Sequence, residues 1–580
     1  MKKVFFNKTI TFFQEISRSE IIIQAALVGL IAGGLVVLFK VSITELFGAI
    51  QNFLAPFTFA QKLIIFPLIT TLGGLISGIL VFKFAPETRG SGIPYVKMTL
   101  ARIGKGTRLR SIIVKFLAGL AGIGTGLSLG REGPSVQLGS GAGALVAKIF
   151  KKRGTNQHNL ISAGAGAALG ATFNAPIAGT LFVLEELAQN FTPSILFPVL
   201  IATVSASNIA RHFLGENPSF DIPKILTAIS LESLPVFILL GFFAGIFGVL
   251  FAKMIFWDND LYEKIKLPNW AKPAIAGFAV GVLGLFLPAI LGAGNSPIEM
   301  LLHHKFTLAM IAIIFIGKFF ITPLCFASGA AGGIFLPMLM LGSFLGYFIG
   351  TVAHHFGVDV NPVVVSLVGM GAFLSATART PITAVVMVFE MTGDYNHILP
   401  IMFSVAIADL VAEKLNHAPI YSSLILKQGK STEETKKLSN VKVSSSMDAD
   451  ISKIKLDTTI HDALELIEAS NYDIIPVVNN KERLIGAITK SDMETALLQG
   501  NTEDVLIEKI MNPEPLIIKQ DDDLYKAFYI LHLAEAENLF VIDNSKKITG
   551  ILVRDKILEY CDCYNLYPKS KPEGSSRIST

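Results

Sequence analysis

Three short strings concentrate the residue types that could do chemistry: Gly90-Ser91-Gly92-Ile93-Pro94, Gly130-Arg131-Glu132-Gly133-Pro134 and Gly333-Ile334-Phe335-Leu336-Pro337. In each, glycine frees the backbone for a close turn, and the proline four residues on suits the first turn of a helix, where its missing N–H costs nothing. Such a turn aims unpaired N–H groups and the positive end of the helix at one point. Three helix N-termini converging inside a membrane would form a dry anion site that needs no fixed Lys or Arg to hold the ion. The spacing by itself decides little: 50 Gly and 26 Pro produce about two Gly-x-x-x-Pro matches by chance, and a fourth runs from Gly284 to Pro288.

Other polar residues stand out against apolar surroundings. Glu132 has a carboxylate at a helix start, commonly a cap; inside an anion-binding turn it is also an anion mimic, filling the ion's place when ionised and swinging away when protonated. Glu185 and Glu186 close the apolar run that begins at Gly179. Adjacent helical positions diverge by about 100°, so one acid is expected to be structural and the other free for another task. Lys115, seventeen residues before Glu132, is either buried or a snorkelling surface lysine. By residue type alone, Ser91 reads as an N-cap and Tyr421 as an interfacial aromatic.

The elements that must position these groups are those of a membrane protein. Of 580 residues, 51% are hydrophobic and 16% charged, which excludes an ordinary soluble enzyme. The charge is uneven: residues 431–580 hold 18 Lys+Arg and 26 Asp+Glu, leaving 31 basic and 19 acidic residues for the first 430. Apolar stretches, several near the ~20 residues needed to cross a bilayer and others short or broken by Gly and Pro, recur to about residue 412. Residues 1–19 lack the unbroken apolar core of a cleavable signal and are expected to form a cytoplasmic amphipathic helix. Cys325, Cys561 and Cys563 cannot build a disulfide framework, and no metal is expected at Cys561 and Cys563.

Taken as full strings in this order across a polytopic chain, the three segments resemble the selectivity filter of the CLC family of chloride channels and chloride/proton antiporters. The resemblance covers about residues 20–425. It implies an α-helical polytopic membrane fold, an inverted repeat with broken helices, spanning 20–427. Ser91 would offer its hydroxyl, and Ile334 and Phe335 their N–H groups, to chloride; Tyr421, in His417-Ala-Pro-Ile-Tyr421, would complete the site. Leu336 departs from the Ala of many bacterial members. Glu132 matches the gating glutamate and external proton acceptor, Lys115 the family's buried lysine, and Glu186 the internal proton-transfer position, held by an acid in most antiporters. The family implies a homodimer in the cytoplasmic membrane, with chloride, protons and lipid as partners. It implies no enzyme activity, no required cofactor, no metal and no nucleic acid.

After a polar linker at 428–440, an internal repeat has a 64-residue offset. Met447 pairs with Met511, Asp457 with Asp521, Ala463 with Ala527, Val477 with Val541 and Gly486 with Gly550. Each copy reads as a helix, a strand (Ile474–Val478; Leu539–Ile542), a turn and a second strand (Leu484–Thr489; Ile548–Val553). This resembles a tandem pair of α/β CBS domains, about 441–498 and 505–562 within a 441–565 cytoplasmic module, with 566–580 expected to be disordered. Thr489 and Asp492 match the CBS positions for the phosphate and ribose of an adenine nucleotide. Val553 and Asp555 break the pattern in the second copy, so at most one site is implied, and a purely structural tail stays open. Two rivals remain: a passive chloride channel, and a CBS-regulated divalent-cation transporter, which would need a carboxylate-lined site. An intramembrane metalloprotease would need His-Glu-x-x-His, which is absent.

Overall fold

The structure, a computed structural model, describes residues 2–100, 107–216, 218–220, 222, 233–393, 397–415, 417–428, 437–470, 472–498, 505–533 and 536–560. Cys561, Cys563, the 566–580 tail, most of the 428–440 linker and the side chains of residues 1–19 lie outside the described residues. The chain divides into two compact units, Met1–Ser423 and Leu424–Thr580.

The first unit is helical. Its opening elements are α1 (Lys2–Leu54), α2 (Phe59–Ile79), α3 (Ile93–Leu100), α4 (Leu109–Ile123), α5 (Glu132–Ile149), α6 (Gly154–Phe173), α7 (Pro176–Phe182) and α8 (Pro193–Leu214). These are followed by α9 (Leu234–Lys264), α10 (Lys272–Phe286), α11 (Asn295–Leu302), α12 (Leu308–Ala327), α13 (Phe335–His355), α14 (Pro362–Ala378), α15 (Pro381–Thr392), α16 (Ile398–Lys414) and α17, which begins at Ile420. Among the described residues, seven helices are long and apolar enough to cross a membrane. The N-terminal helix runs without a break into the first span. The apolar residues 160–184 are divided between α6 and α7, because Asn174 takes a left-handed conformation at the end of α6 and Pro176 opens α7.

The two halves of this unit repeat one another at an offset of about 203–205 residues, α4 to α8 against α12 to α16. Asn174 and Arg379 hold the same left-handed turn before Pro176 and Pro381. Small residues let equivalent pairs pack backbone to backbone. A Cβ on Gly139 would lie 2.1 Å from the Gly164 carbonyl oxygen, and one on Gly342 would lie 2.1 Å from that of Gly369. Any side chain there would force α5 from α6 or α13 from α14.

The second unit holds two three-stranded sheets of the same design. In the first, β1 (Ile454–Lys455) pairs parallel with β2 (Ile474–Val478), and β2 pairs antiparallel with β3 (Leu484–Thr489). The second repeats this with β4 (Ile517–Lys519), β5 (Asn538–Ile542) and β6 (Ile548–Val553). Helices α18 (Ile460–Glu468) and α20 (Leu524–Leu533) precede the antiparallel pairs, and α19 (Lys490–Leu498) and α21 (Arg554–Leu558) follow them. The register is conserved to the bulge, with Val477 opposite Gly486 and Val541 opposite Gly550. The copies exchange backbone bonds: Asp448 pairs both ways with Ile551, and Asn512 both ways with Ala487. Those crossings explain the matched Met and Gly positions. A Cβ on Gly486 would strike Met511 Sδ at 2.6 Å, and one on Gly550 would lie 2.4 Å from the Asp448 carbonyl oxygen.

Candidate functional site

The three strings meet through their backbones. Gly130 N–H donates to the Gly333 carbonyl at 2.7 Å, Gly333 N–H donates back to Gly130 at 2.6 Å, and Gly332 N–H donates to the Gly90 carbonyl at 3.0 Å. Gly90 and Gly92 have φ of 63° and 92°, a region L-residues avoid, and this turns the chain into α3. Helices α5 and α13 start at Glu132 and Phe335, so Pro134 and Pro337 fall in first turns, whose N–H groups lack intrahelical acceptors. Gly133 lets α5 reach the first string, since a Cβ there would sit 2.1 Å from Ser91 Oγ.

At this junction are buried polar atoms without a protein partner among the described residues: Ser91 Oγ, both Glu132 carboxylate oxygens and the Tyr421 hydroxyl. The Glu132 carboxylate turns back over its own loop, its Oε2 2.1 Å from where a Gly130 Cβ would be. Tyr421 stands edge-on to Phe182 at 6.4 Å, and Phe182 stands edge-on to Phe335 at 5.8 Å, so one ring fixes α17 relative to the start of α13.

Glu185 and Glu186 sit on a π-helical turn, Val183–Leu187, and point to different tasks. Glu185 accepts N–H bonds from Ile382 and Thr383 at 3.0 and 2.7 Å and the Thr383 hydroxyl at 2.6 Å. Glu186 is buried and paired to Lys97, with Nζ to Oε1 at 2.8 Å. Lys115 does not snorkel: fully buried, it donates to the carbonyls of Thr88 and Gly90 at 2.9 and 2.6 Å and so holds the loop that presents Ser91.

Three residues escaped the sequence reading. Lys318 repeats Lys115 in the second half, donating to the carbonyls of Ile290 and Gly292 at 3.1 and 2.6 Å. Its signal was available, because it precedes Phe335 by the same seventeen residues that separate Lys115 from Glu132. Glu390 repeats Glu185, accepting from Ile177 and Ala178 at 3.0 and 2.7 Å. Lys97 had no signal, since its partner lies 89 residues away.

In the second unit, Thr489 and Asp492 form a reciprocal cap at the start of α19. Thr489 N–H and hydroxyl donate to Asp492 Oδ2 at 3.0 and 2.7 Å, and Asp492 N–H donates to Thr489 Oγ1 at 3.1 Å. The cap accounts for both residues structurally. A nucleotide would have to compete with it.

Broken helices whose N-termini converge on buried hydroxyls, flanked by buried carboxylates, define a multi-pass membrane transport protein. The family model for voltage gated chloride channels matches residues 73–413, and CBS domain models match 441–499 and 507–562. The chain belongs to this CLC family and carries a tandem CBS pair. The H(+)/Cl(-) exchange transporter ClcA of Vibrio parahaemolyticus is 36% identical to it over 422 residues, 70% of this chain and 89% of that protein. The crystal structure of a slow cyanobacterial Cl-/H+ antiporter superposes with a TM-score of 0.66 at 30% identity, covering 70% of this chain and 97% of that one. A eukaryotic CLC transporter matches with a TM-score of 0.64 over 92% of this chain and 97% of its own; at 18% identity it speaks to the fold alone.

Proposed function

We propose that this protein exchanges chloride for protons across the cytoplasmic membrane as an electrogenic antiporter, working as a homodimer with the CBS pair in the cytoplasm. The observation that carries the reading is the meeting of the three backbone-joined strings beside the unpartnered Ser91 and Tyr421 hydroxyls, with two buried carboxylates in the same unit, Glu132 at the junction and Glu186 paired to Lys97. Chloride takes its contacts from the Ser91 and Tyr421 hydroxyls and the N–H groups of Ile334 and Phe335. The Glu132 carboxylate occupies the anion's route when ionised and leaves it when protonated. Chloride and its N–H donors offer no basic relay for a proton, so the proton needs a second titratable group off the anion route, and Glu186 supplies it.

The similarity to exchangers favours this reading over a passive channel, and a donor set of N–H and hydroxyl groups disfavours a divalent cation. The CBS pair is read as a regulatory module with at most one adenine-nucleotide site, at Thr489 and Asp492. Reconstitution in liposomes, with chloride and proton movement recorded together, tests the function. A chloride gradient should drive protons uphill. Chloride flux that never moves protons against their gradient makes the protein a channel instead.

A further inference from the structure

Lys97 lies where three elements of the site join. It sits on α3, six residues past Ser91, and its Nζ donates to Glu186 Oε1 at 2.8 Å and to Ser422 Oγ at 2.9 Å. The Lys97 and Glu186 side chains are only 3% and 2% exposed. Ser422 is buried too and follows Tyr421 on α17. One ammonium group therefore ties the Glu186 carboxylate to α3, the helix that the Ser91 turn leads into, and to α17, which carries Tyr421.

The charged and titratable groups acting on Glu186 are Lys97 of α3, Glu185 beside it on the same turn and Tyr421 of α17. Helices α6 and α8 also pack near this turn, where a Cβ on Gly166 would lie 2.8 Å from Val199 and 3.0 Å from Val183, and neither helix supplies a charged group acting on Glu186. A carboxylate enclosed this way, with another carboxylate and a phenol for company, keeps its proton unless a counter-charge stabilises the ionised form. A group that never releases its proton relays nothing.

We propose that Lys97 is a positioning residue for proton transfer: its ion pair keeps Glu186 able to ionise and holds the carboxylate against the Tyr421 end of α17. The proposal rests on Glu186 being the inner proton-transfer group. Lys97 touches neither chloride nor the proton in transit, and it acts through Glu186.

The test is the proton-to-chloride ratio of the full chain in proteoliposomes, with pH on the CBS side varied between about 6 and 9. In Lys97→Met, the ratio should fall roughly tenfold at neutral pH while chloride still moves, and recover as that pH rises by about one to two units. Lys97→Arg should retain the wild-type ratio at neutral pH, because a guanidinium also supplies the charge. Lys97→Gln carries the same expectation as Lys97→Met and replaces it if the Met variant does not fold. A wild-type ratio and pH profile in either neutral variant overturns the proposal. So does a loss that neither alkaline pH nor Lys97→Arg reverses. Glu186→Gln separates the two levels: if it still pumps protons at the wild-type ratio, the Glu186 assignment fails, whereas an uncoupled Glu186→Gln beside an unaffected Lys97→Met condemns only Lys97.

Discussion

Glu185 and Glu390 cap each other's helices: each closes the helix that the other's carboxylate holds at its N-terminus. Glu185 accepts the N–H groups of Ile382 and Thr383 at the start of α15, and Glu390 accepts those of Ile177 and Ala178 at the start of α7. A carboxylate at a helix N-terminus both satisfies orphan donors and complements the helix dipole. The two halves are therefore joined by a reciprocal pair of charge-assisted contacts, the pattern expected of a pseudo-two-fold relation between them.

Glu185→Gln and Glu390→Gln should each destabilise the protein by about 1–3 kcal/mol, the cost of losing charge-assisted bonds at a half-buried helix start. Thermal unfolding in detergent reads this. Because neither carboxylate lies on the proposed proton route, the folded fraction should exchange at the wild-type ratio. A selective loss of proton movement in Glu185→Gln would reassign the roles of the two neighbours.

Glu132→Gln resembles the protonated side chain, so chloride should pass while proton coupling disappears. Simultaneous flux recording checks it. Uphill proton pumping retained in the variant would remove Glu132 from the gate.

Lys115→Met removes the ammonium donor from the Thr88 and Gly90 carbonyls, of which Gly90 keeps the Gly332 N–H, and Lys318→Met removes it from those of Ile290 and Gly292, at about 1–3 kcal/mol for each variant. If each lysine acts within its own half, the losses should add to within about 0.5 kcal/mol in the double variant. Lys115→Met should also weaken chloride binding by calorimetry more than Lys318→Met does, because only Lys115 holds the Gly90 loop that presents Ser91.

Thr489→Ala should cost about 1 kcal/mol through the lost cap of α19. If the pair also binds a nucleotide, calorimetry on the whole chain should detect ATP, ADP or AMP in the wild type and lose it in Thr489→Ala and Asp492→Ala. No heat at millimolar concentration would leave the CBS pair a structural module.

The hydrogen bond from Tyr472 holds the Asp448 carboxyl below the usual carboxylate range. A depressed carboxylate contributes stability that is present above its unfolded value, about 3.9, and is lost as pH falls through the folded value. Tyr472→Phe should therefore loosen this contact at neutral pH, by no more than about 1 kcal/mol at so exposed a site, and the difference should fade in acid below that value. Hydrogen exchange at Ile551, whose N–H donates to the Asp448 carbonyl at 2.9 Å, reports it.

By itself, the sequence determined whatever is written locally or at a constant offset. The three Gly-to-Pro strings carry their own turn and helix start, so their shape was legible before their meeting was. The 64-residue repeat carried its strands and even its bulge, because the same residues recur at the same places in a soluble α/β unit. The other repeat, at about 203–205 residues, was hidden, because its halves share backbone tasks far more than residue identities: Asn174 matches Arg379, and Glu132 matches Phe335. Only the tertiary structure decided which of two adjacent glutamates caps a helix and which faces a lysine. A helical position fixes the direction a side chain leaves the axis, while its partner comes from a segment the chain brings in from elsewhere. Lys97 reaches Glu186 across 89 residues, and Glu185 reaches Ile382 across 197. In a dry interior each charge must find such a partner, and only the packing of the whole unit settles which one it finds.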